Sequence, residues 1–439
     1  MNCRKSLLIR SRAYTYLPLR ITKVLIAFNM ELFFTINNIA DILGVSIHTV
    51  NTWVNKGTLV LEKGENGQVG FYAHQLMGIP QVETMINSNW EEESKVQPVR
   101  DFTSIELFAG GGGLALGMET AGFKHVLLNE FDKAACATLK HNRPSWNVVE
   151  NDIHNVSFKD YEGKVDFLSG GFPCQAFSYA GNKAGFEDAR GTLFFELARA
   201  VKEVKPKVFM GENVRGLYTH DHGHTFEVIK SVIADLGYTL VEPQILKAIQ
   251  YQVPQKRERL ILIAIRNDLA NRVSFHYPSP YHRVVNLRDA FCKGVLYDCD
   301  VPESIGQQYP KRKREIMERV PMGGNWRDLP DNLQREYMKA SYNMEGGRTG
   351  IARRLSLDDP SLTLTCAPAM KQTERCHPTE TRPLTVREYA RIQTFPDNWE
   401  FCGNMTAQYK QIGNAVPVNL AAAVGRSLIR LLNDIEALN

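Results

Sequence analysis

The sequence predicts an α/β protein: a mostly parallel sheet faced by helices, joined to a smaller irregular domain and a separate N-terminal unit. Two observations carry that prediction. Between residues 102 and 271, apolar runs of strand length alternate with helical stretches, the rhythm of a parallel sheet. Chemically distinctive residues recur where those runs end, at the sheet edge where open α/β folds bind ligands. The totals agree. A chain of 439 residues has room for two or three domains, and 44% hydrophobic with 23% charged residues is ordinary for a globular protein. A net charge of +4 is compatible with a nucleic-acid partner without demonstrating one. The eight cysteines lack Cys-x-x-Cys spacing and neighbouring ligand histidines, which argues against a metal site or a disulfide scaffold and for a reducing, cytoplasmic setting. No apolar run approaches a membrane span; the best candidate, residues 24–34, is broken by Asn29 and Glu31, so no membrane partner is expected.

Residues 1–29 hold six Lys/Arg and no acid, a basic leader that suits a transit peptide or, as we expect, a start of translation at Met30. Residues 30–86 read as a small unit. Ile36, Ile39, Ala40 and Leu43 share a helical face, Gly44 turns the chain, and Ser46 caps a second helix bearing Val50, Trp53 and Val54 on one side. Leu59-Val60-Leu61, a turn at residues 64–67 and Val69-Gly70-Phe71-Tyr72 follow as a two-stranded wing. This order resembles the winged helix-turn-helix of MerR-like and excisionase-like DNA binders. The resemblance implies that the second helix presents Ser46, His48, Thr49, Asn51 and Thr52 to a major groove; a structural or dimerising role is the alternative. Residues 87–101 are polar, carry Glu91-Glu92-Glu93 and Pro98, and read as a linker with a solvated charge run.

The first strand of the main body, residues 103–108, enters the loop Ala109-Gly110-Gly111-Gly112-Gly113 and a helix from Leu114. Glycine there lets a ligand approach the backbone at a helix N-terminus. A second strand ends at Glu130, twenty residues after Gly110, where an acid can accept hydrogen bonds from ribose hydroxyls. The loop alone does not separate NAD from S-adenosylmethionine. A third strand, 146–149, leads to Asp152 and Ile153, suited to an adenine amine and face. The buried run 165–168 precedes Gly170-Gly171-Phe172-Pro173-Cys174-Gln175, which places the Cys174 thiol at or just beyond a strand end. The strand 208–211 delivers Glu212 in the same way, so thiol and carboxyl share a pocket if the two strands are neighbours. Gln255-Lys256-Arg257-Glu258-Arg259 enters the buried strand 260–265, and alternation puts Gln255, Arg257 and Arg259 on one side. Residues 272–381 lose the rhythm, and basic stretches such as Lys311-Arg312-Lys313-Arg314 and Arg353-Arg354 suit either phosphate contacts or solvated surface. Regular structure returns at 382–439 with a helix ending at Gln393, the run Gln411-Ile412-Gly413-Asn414-Ala415-Val416-Pro417, and an apolar helix over 420–432.

Six blocks in one order resemble the cytosine-C5 DNA methyltransferase family across about residues 102–432. They are Glu106-Leu107-Phe108-Ala109-Gly110, Gly171-Phe172-Pro173-Cys174-Gln175, Glu212-Asn213-Val214, Gln255 to Arg259, Arg382-Pro383-Leu384-Thr385 through Phe395-Pro396, and Gln411 to Pro417. Gly113 departs from the larger residue that many members carry. The resemblance implies a Rossmann-like, S-adenosylmethionine-dependent methyltransferase fold, with a catalytic domain at 102–271, a target recognition domain at 272–381 and a return to the catalytic domain at 382–439. It implies a bacterial restriction-modification enzyme that flips a cytosine from a short site in double-stranded DNA and methylates C5 through a covalent Cys174 adduct. Glu212 is then assigned to cytosine N3, and Arg257 and Arg259 to O2 and the cysteine loop. Phe108, Gly110, Gly112, Glu130, Asp152, Ile153, Pro173, Asn414 and Val416 match cofactor positions, and no metal is implied. A cognate restriction endonuclease becomes a functional partner. The enzyme is expected as a monomer on DNA, with dimerisation or autorepression as roles for the N-terminal unit. Residues 371–378 are similar to members with sites of GGNCC type. A DNA-binding transcription regulator and an RNA cytosine methyltransferase remain as alternatives.

Overall fold

The computed structural model describes residues 32–64, 67–172, 193–343 and 348–438, and it divides into two units, Met1–Asn87 and Ser88–Asn439. In the first, β1 (Phe33–Thr35) leads into α1 (Ile36–Leu43), α2 (Ile47–Asn55), β2 (Glu62–Lys63), β3 (Val69–Tyr72) and α3 (Pro80–Ile86). Thr35 and Asn38 form a capping box on α1, Gly44 ends it at φ 71°, and Ser46 accepts the Thr49 N–H at 3.1 Å to start α2. Ile39, Ile42, Val50 and Phe71 form the core of this unit. The expected two-stranded wing is a three-stranded antiparallel sheet, in the order β1-β3-β2, because Phe33 to Thr35 pair with β3. Its second strand forms at Glu62–Lys63 rather than at 59–61: Leu59 is drawn into the core while Val60 and Leu61 stay exposed.

The second unit begins earlier than its first sheet strand. Residues 88–101 are not the free linker that their polarity suggests. In α4 (Trp90–Glu93) the Trp90 indole is buried against Tyr251 and Tyr281, and Glu93 accepts the Ser279 N–H and Oγ–H at 2.8 and 2.9 Å. Asn433 then pins Gln97 and Val99. One buried aromatic and one carboxylate outweigh the polar composition around them. Of the charge run, only Glu91 and Glu92 face solvent.

The main sheet is built from β4 (Phe102–Leu107), β5 (Phe123–Glu130), β6 (Val148–Glu150), β7 (Phe167–Gly171), β8 (Val208–Val214), β9 (Tyr238–Leu240), β10 (Gln244–Lys247) and β12 (Glu258–Arg266). Its order is β10-β12-β8-β7-β4-β5-β6, with β9 also pairing β12. The strands from β6 to β8 run parallel, and β12 is antiparallel to its neighbours. The helices α5 (Gly113–Ala121), α6 (Lys133–Asn142), α7 (Leu193–Val204) and α8 (His224–Asp235) fill the crossovers. Side-chain alternation divides the core. Phe167, Met210 and Ile261 pack with Met118, Leu420 and Leu428 on one face, while Leu168, Phe209 and Leu262 pack with Leu197, Val201 and Ile229 on the other.

Two sequence expectations change here. β8 does not stop before Glu212, because β12 pairs with it through Ile261↔Glu212, Leu260↔Asn213 and Arg259↔Val214, so Glu212 belongs to the strand. Residues 255–265 are not one alternating strand either: β11 (Gln255–Lys256) leaves the main sheet to pair with β13 (Ser361–Leu362).

Residues 272–381 carry a core of their own around Tyr309, Met317, Trp326 and Met338. Arg354, in a basic pair that could have met phosphate, is buried and donates to the carbonyls of Met317, Val320, His377 and Glu380. It organises the domain rather than facing a ligand. The chain closes with α9 (Val386–Ile392), α10 (Met405–Asn414) and α11 (Val418–Glu436). Contrary to the sequence reading, one stretch among the described residues, Met405–Glu436, is long and apolar enough to cross a membrane; 78% of its apolar window is buried within the protein.

Candidate active site

A cavity of about 720 Å³ opens at the carboxyl ends of β4, β5, β7 and β8. At the end of β4, Phe108 takes φ 60°, a left-handed conformation that a bulky residue holds only under constraint. Part of the constraint is Glu130 at the end of β5. Its Oε2 accepts the Gly110 N–H at 2.7 Å, and its Oε1 accepts those of Phe131 and Asp132 at 2.8 and 2.7 Å. Glu130 thereby ties the glycine loop to the neighbouring strand. Asp132 caps α6 and pairs with Lys410 of α10 at 2.9 Å. Glu106 lies deeper in the same wall, 1% exposed, and its Oε2 has no hydrogen-bond partner among the described residues. Burial pushes its carboxyl well above the usual carboxylate range; the Ala115 N–H opposes this and Glu130 adds to it.

The opposite wall is set by strand register. β7 and β8 are neighbours with Gly171 opposite Glu212, and a Cβ at Gly171 would sit 3.0 Å from Glu212 Oε2. The missing side chain leaves the carboxyl open to the cavity. Arg259 Nε makes ion-pair contact with Glu212 Oε1, without the alignment of a hydrogen bond. Arg257, 3% exposed, reaches Leu364 O at 3.3 Å and Asn414 O at 3.4 Å, both long, and its Nε has no partner among the described residues. Burial lowers its pKa and Arg259 adds to that, while Glu212 opposes it. Asn213 donates from Nδ2 to Phe172 O at 2.7 Å, fixing the chain where it leaves β7. Pro173 and Cys174, next along, lie outside the described residues.

The cavity therefore gathers Phe108, Gly110, Glu130, Glu212, Arg257, Arg259, Asn414 and Val416 from five segments of chain. It does not gather every expected residue. Gly112 is a packing glycine: at φ 88° its Cβ would meet Leu139 and Trp399 at 2.8 Å. Ile153 belongs to the core, and Asp152 caps the turn after it, accepting the His154 N–H at 3.0 Å. Gln255 does not stand beside the two arginines but joins a buried amide chain, donating to Gln393 Oε1 at 2.9 Å, while Gln393 donates to the Ile412 and Ala415 carbonyls. On α2, Ser46, His48 and Asn51 are exposed and Thr49 and Thr52 half-buried; Thr52 spends its hydroxyl on His48 O at 2.9 Å. Sequence reasoning missed Glu106, Asn213 and the Asp132–Lys410 pair as cavity residues. Glu106 had a signal: an acid between Ile105 and Leu107 in a buried strand has a reason to be there. Lys410 had none, because its partner is remote in sequence.

Comparison with known proteins agrees with this geometry. The family model described as C-5 cytosine-specific DNA methylase matches residues 102–430. The type II methyltransferase M.Eco47II of Escherichia coli is 61% identical over 404 residues, 92% of this chain and 97% of its own. M.PspPI of Psychrobacter sp. is 59% identical over 396 residues, 90% and 95% of the two chains, and M.Sau96I of Staphylococcus aureus 50% over 348, 78% and 79%. The crystal structure of a prophage-encoded Escherichia coli protein, assigned as a DNA modification methyltransferase, shares the fold: TM-score 0.56 at 23% identity, over 76% of this chain and all of that one. The chain belongs to the C-5 cytosine-specific DNA methylase family and is a DNA cytosine-5-methyltransferase that uses S-adenosylmethionine.

Proposed function

We propose that this enzyme flips a cytosine out of a short duplex site and methylates it through a covalent Cys174 adduct, protecting DNA from a cognate restriction endonuclease. The observation that carries the reading is the β7–β8 register, which sets Glu212 opposite Gly171 with Arg259 against it, three residues before Cys174. Cytosine C5 is a poor nucleophile. Addition of the Cys174 thiolate at C6 turns the ring into an enamine, and Glu212 meets the charge that builds at N3 as proton donor or hydrogen-bond partner. Arg259 holds the Glu212 carboxyl and, with the spare donors of Arg257, faces the O2 side. Such contacts require a base outside the stack. Loss of the C5 proton then expels Cys174.

The cavity's residues fit S-adenosylmethionine. The buried carboxyl of Glu106, whose Oε2 meets no donor among the described residues, suits a cationic ligand, Glu130 has an acceptor site left on Oε2 for a ribose hydroxyl, and Phe108 and Val416 supply apolar walls. When bound, the cofactor supplies an electrophilic methyl group. We assign Asp152, Ile153 and Pro173 to its adenine side on the family pattern. Residues 102–271 and 382–439 are the catalytic domain and 272–381 the target recognition domain. The enzyme acts in the cytoplasm, as a monomer on DNA.

We read the first unit as a winged helix-turn-helix that binds an operator near its own gene, with α2 in the groove. Its support is the capped helix pair followed by a small antiparallel sheet, with His48 and Asn51 exposed.

The test of the central reading is Cys174→Ser. Methyl transfer to DNA should vanish while S-adenosylmethionine still binds, because a serine hydroxyl is scarcely ionised at neutral pH. A fluorocytosine-containing duplex should trap the wild-type protein covalently. Wild-type turnover in the serine variant would overturn the nucleophile.

A further inference from the structure

Glu106 has no part in the chemistry above beyond its fit to a cation. It stands in β4, one residue before the strand ends, in the wall of the cavity. The Ala115 N–H, in the first turn of α5, serves its carboxyl. Its Oε2 faces no donor, although the atom is buried. An ionised carboxylate in that position lacks the pairing that burial demands. Among the described residues it makes no ion pair, and the neighbouring charges do not compensate it. Glu130, at the end of β5, carries the same sign. His125, also on β5, engages Ala115 O through Nε2 and Ser104 Oγ through Nδ1. Across the cavity Arg259 is held by Glu212, Lys410 by Asp132, and Arg257 by the Leu364 and Asn414 carbonyls. Among the described residues no donor reaches this oxygen, and Glu106 lines the cavity that a cationic ligand would enter.

We propose that Glu106 is a charge sensor for the cofactor: it holds a proton while the pocket is empty and releases it to solvent when S-adenosylmethionine binds. The balance is simple. The carboxyl becomes a carboxylate, its proton goes to the buffer, and the ligand's positive charge replaces it as partner. The neutral acid avoids the cost of a buried lone anion, and the ionised acid is stabilised only when a cation is present, so occupancy and ionisation are coupled. Low pH therefore opposes loading, because protons compete with the cofactor for one carboxyl.

The inference rests on the cavity being the cofactor site, and the experiment separates the two. Titration of the full-length protein with S-adenosylmethionine is followed by calorimetry in phosphate and in imidazole at about pH 6.5, where the ligand's α-amino group, ordinarily at about 7.7–8.0, stays protonated. The difference in heat between buffers counts protons. Wild type should release protons as the ligand binds, and Glu106→Gln, which keeps the acceptor for Ala115, should bind while releasing none. Equal release from both, or none from wild type, overturns the proposal. Should the glutamine variant fail to fold, the pH dependence of wild-type affinity decides: affinity should strengthen by up to about tenfold per pH unit on the acid side, and a flat profile overturns the proposal. Phe108→Ser tests the pocket itself. Unchanged affinity there defeats the cofactor-site assignment, whereas weakened affinity with no Glu106-dependent proton defeats only the sensor.

Discussion

Glu212 is where a single proton separates two roles. Its carboxyl lies over a glycine and beside a guanidinium, on the wall opposite Glu130. Glu212→Gln preserves shape and removes the acidic proton. Single-turnover methylation should fall by about 10²–10⁴, the range for loss of general acid catalysis. Calorimetric affinity for S-adenosylmethionine should barely change, since the proposed cofactor side is that of Glu130 and Phe108. A large loss of affinity with a preserved rate would mean that the two acids exchange roles. The residues that the sequence singled out were those whose type is itself a reagent, and the cavity brings together three of them, the acid Glu212 and the arginines Arg257 and Arg259. Gly112 and Arg354 were misjudged for a common reason. Glycine and arginine serve ligands and packing equally, and only neighbours decide; here these are Trp399 for one and four carbonyls for the other.

The crossing of α5 and α11 sets the position of the glycine loop. A Cβ on Gly117 would lie 2.3 Å from Ala421 Cβ and 2.7 Å from Val418 O, so the two helix backbones touch there. Gly117→Ala adds about 1 kcal/mol of helix propensity. Against that stands overpacking of about 1–3 kcal/mol, at the upper end because the clash is with backbone that cannot rotate away. The variant should unfold at lower temperature than wild type by scanning calorimetry. Its affinity for S-adenosylmethionine should also weaken, since α5 carries the loop. Helix and strand positions in this part of the chain followed from periodicity to within a few residues. The exceptions, the extension of β8 through Glu212 and the departure of β11 to β13, depend on partners from distant segments that local periodicity does not register.

The whole chain is two units, and their boundary defines a truncation. Because Trp90, Glu93 and Asn433-bound Gln97 belong to the second unit, a protein starting at Ser88 should melt as the full-length protein's methylating part does, methylate the same sites at a similar rate, and no longer shift its own promoter DNA. One starting at residue 102 should be markedly less stable, since it uncovers the Tyr251 and Tyr281 surface. Altered target sites in the Ser88 protein would place the first unit in target recognition instead. The second unit carries an acid-sensitive clasp of its own. Arg100 and Lys207 both bond Glu436, at 2.8 and 2.5 Å, and hold its carboxyl down at about 2 from an ordinary 4.5, the Arg100 bond first. A carboxyl lowered on folding stabilises above its unfolded value, and that contribution is lost as pH falls through the folded one. The melting advantage of wild type over Glu436→Gln should thus be constant above about pH 5 and shrink between about 4.5 and 2. A gap that persists at the acid end would show packing rather than charge at work.

By itself the sequence determined the α/β class and a mostly parallel sheet, because apolar spacing is a local property that survives in a linear reading, while its resemblance to the cytosine-C5 family pointed to the reaction and to S-adenosylmethionine. Tertiary structure decided what depends on who stands opposite whom. It placed Glu212 across from Gly171, left Oε2 of Glu106 without a donor among the described residues, and turned Asp152 toward its own turn. It also showed that most of 371–378, the stretch similar to members with GGNCC-type sites, is interior: Glu374 takes Lys313 at 2.8 Å and Arg375, Cys376 and His377 are buried. The physical reason is the same throughout. Burial and charge pairing are set by groups far apart in the chain, and a residue's task follows from which of its atoms those groups leave unsatisfied.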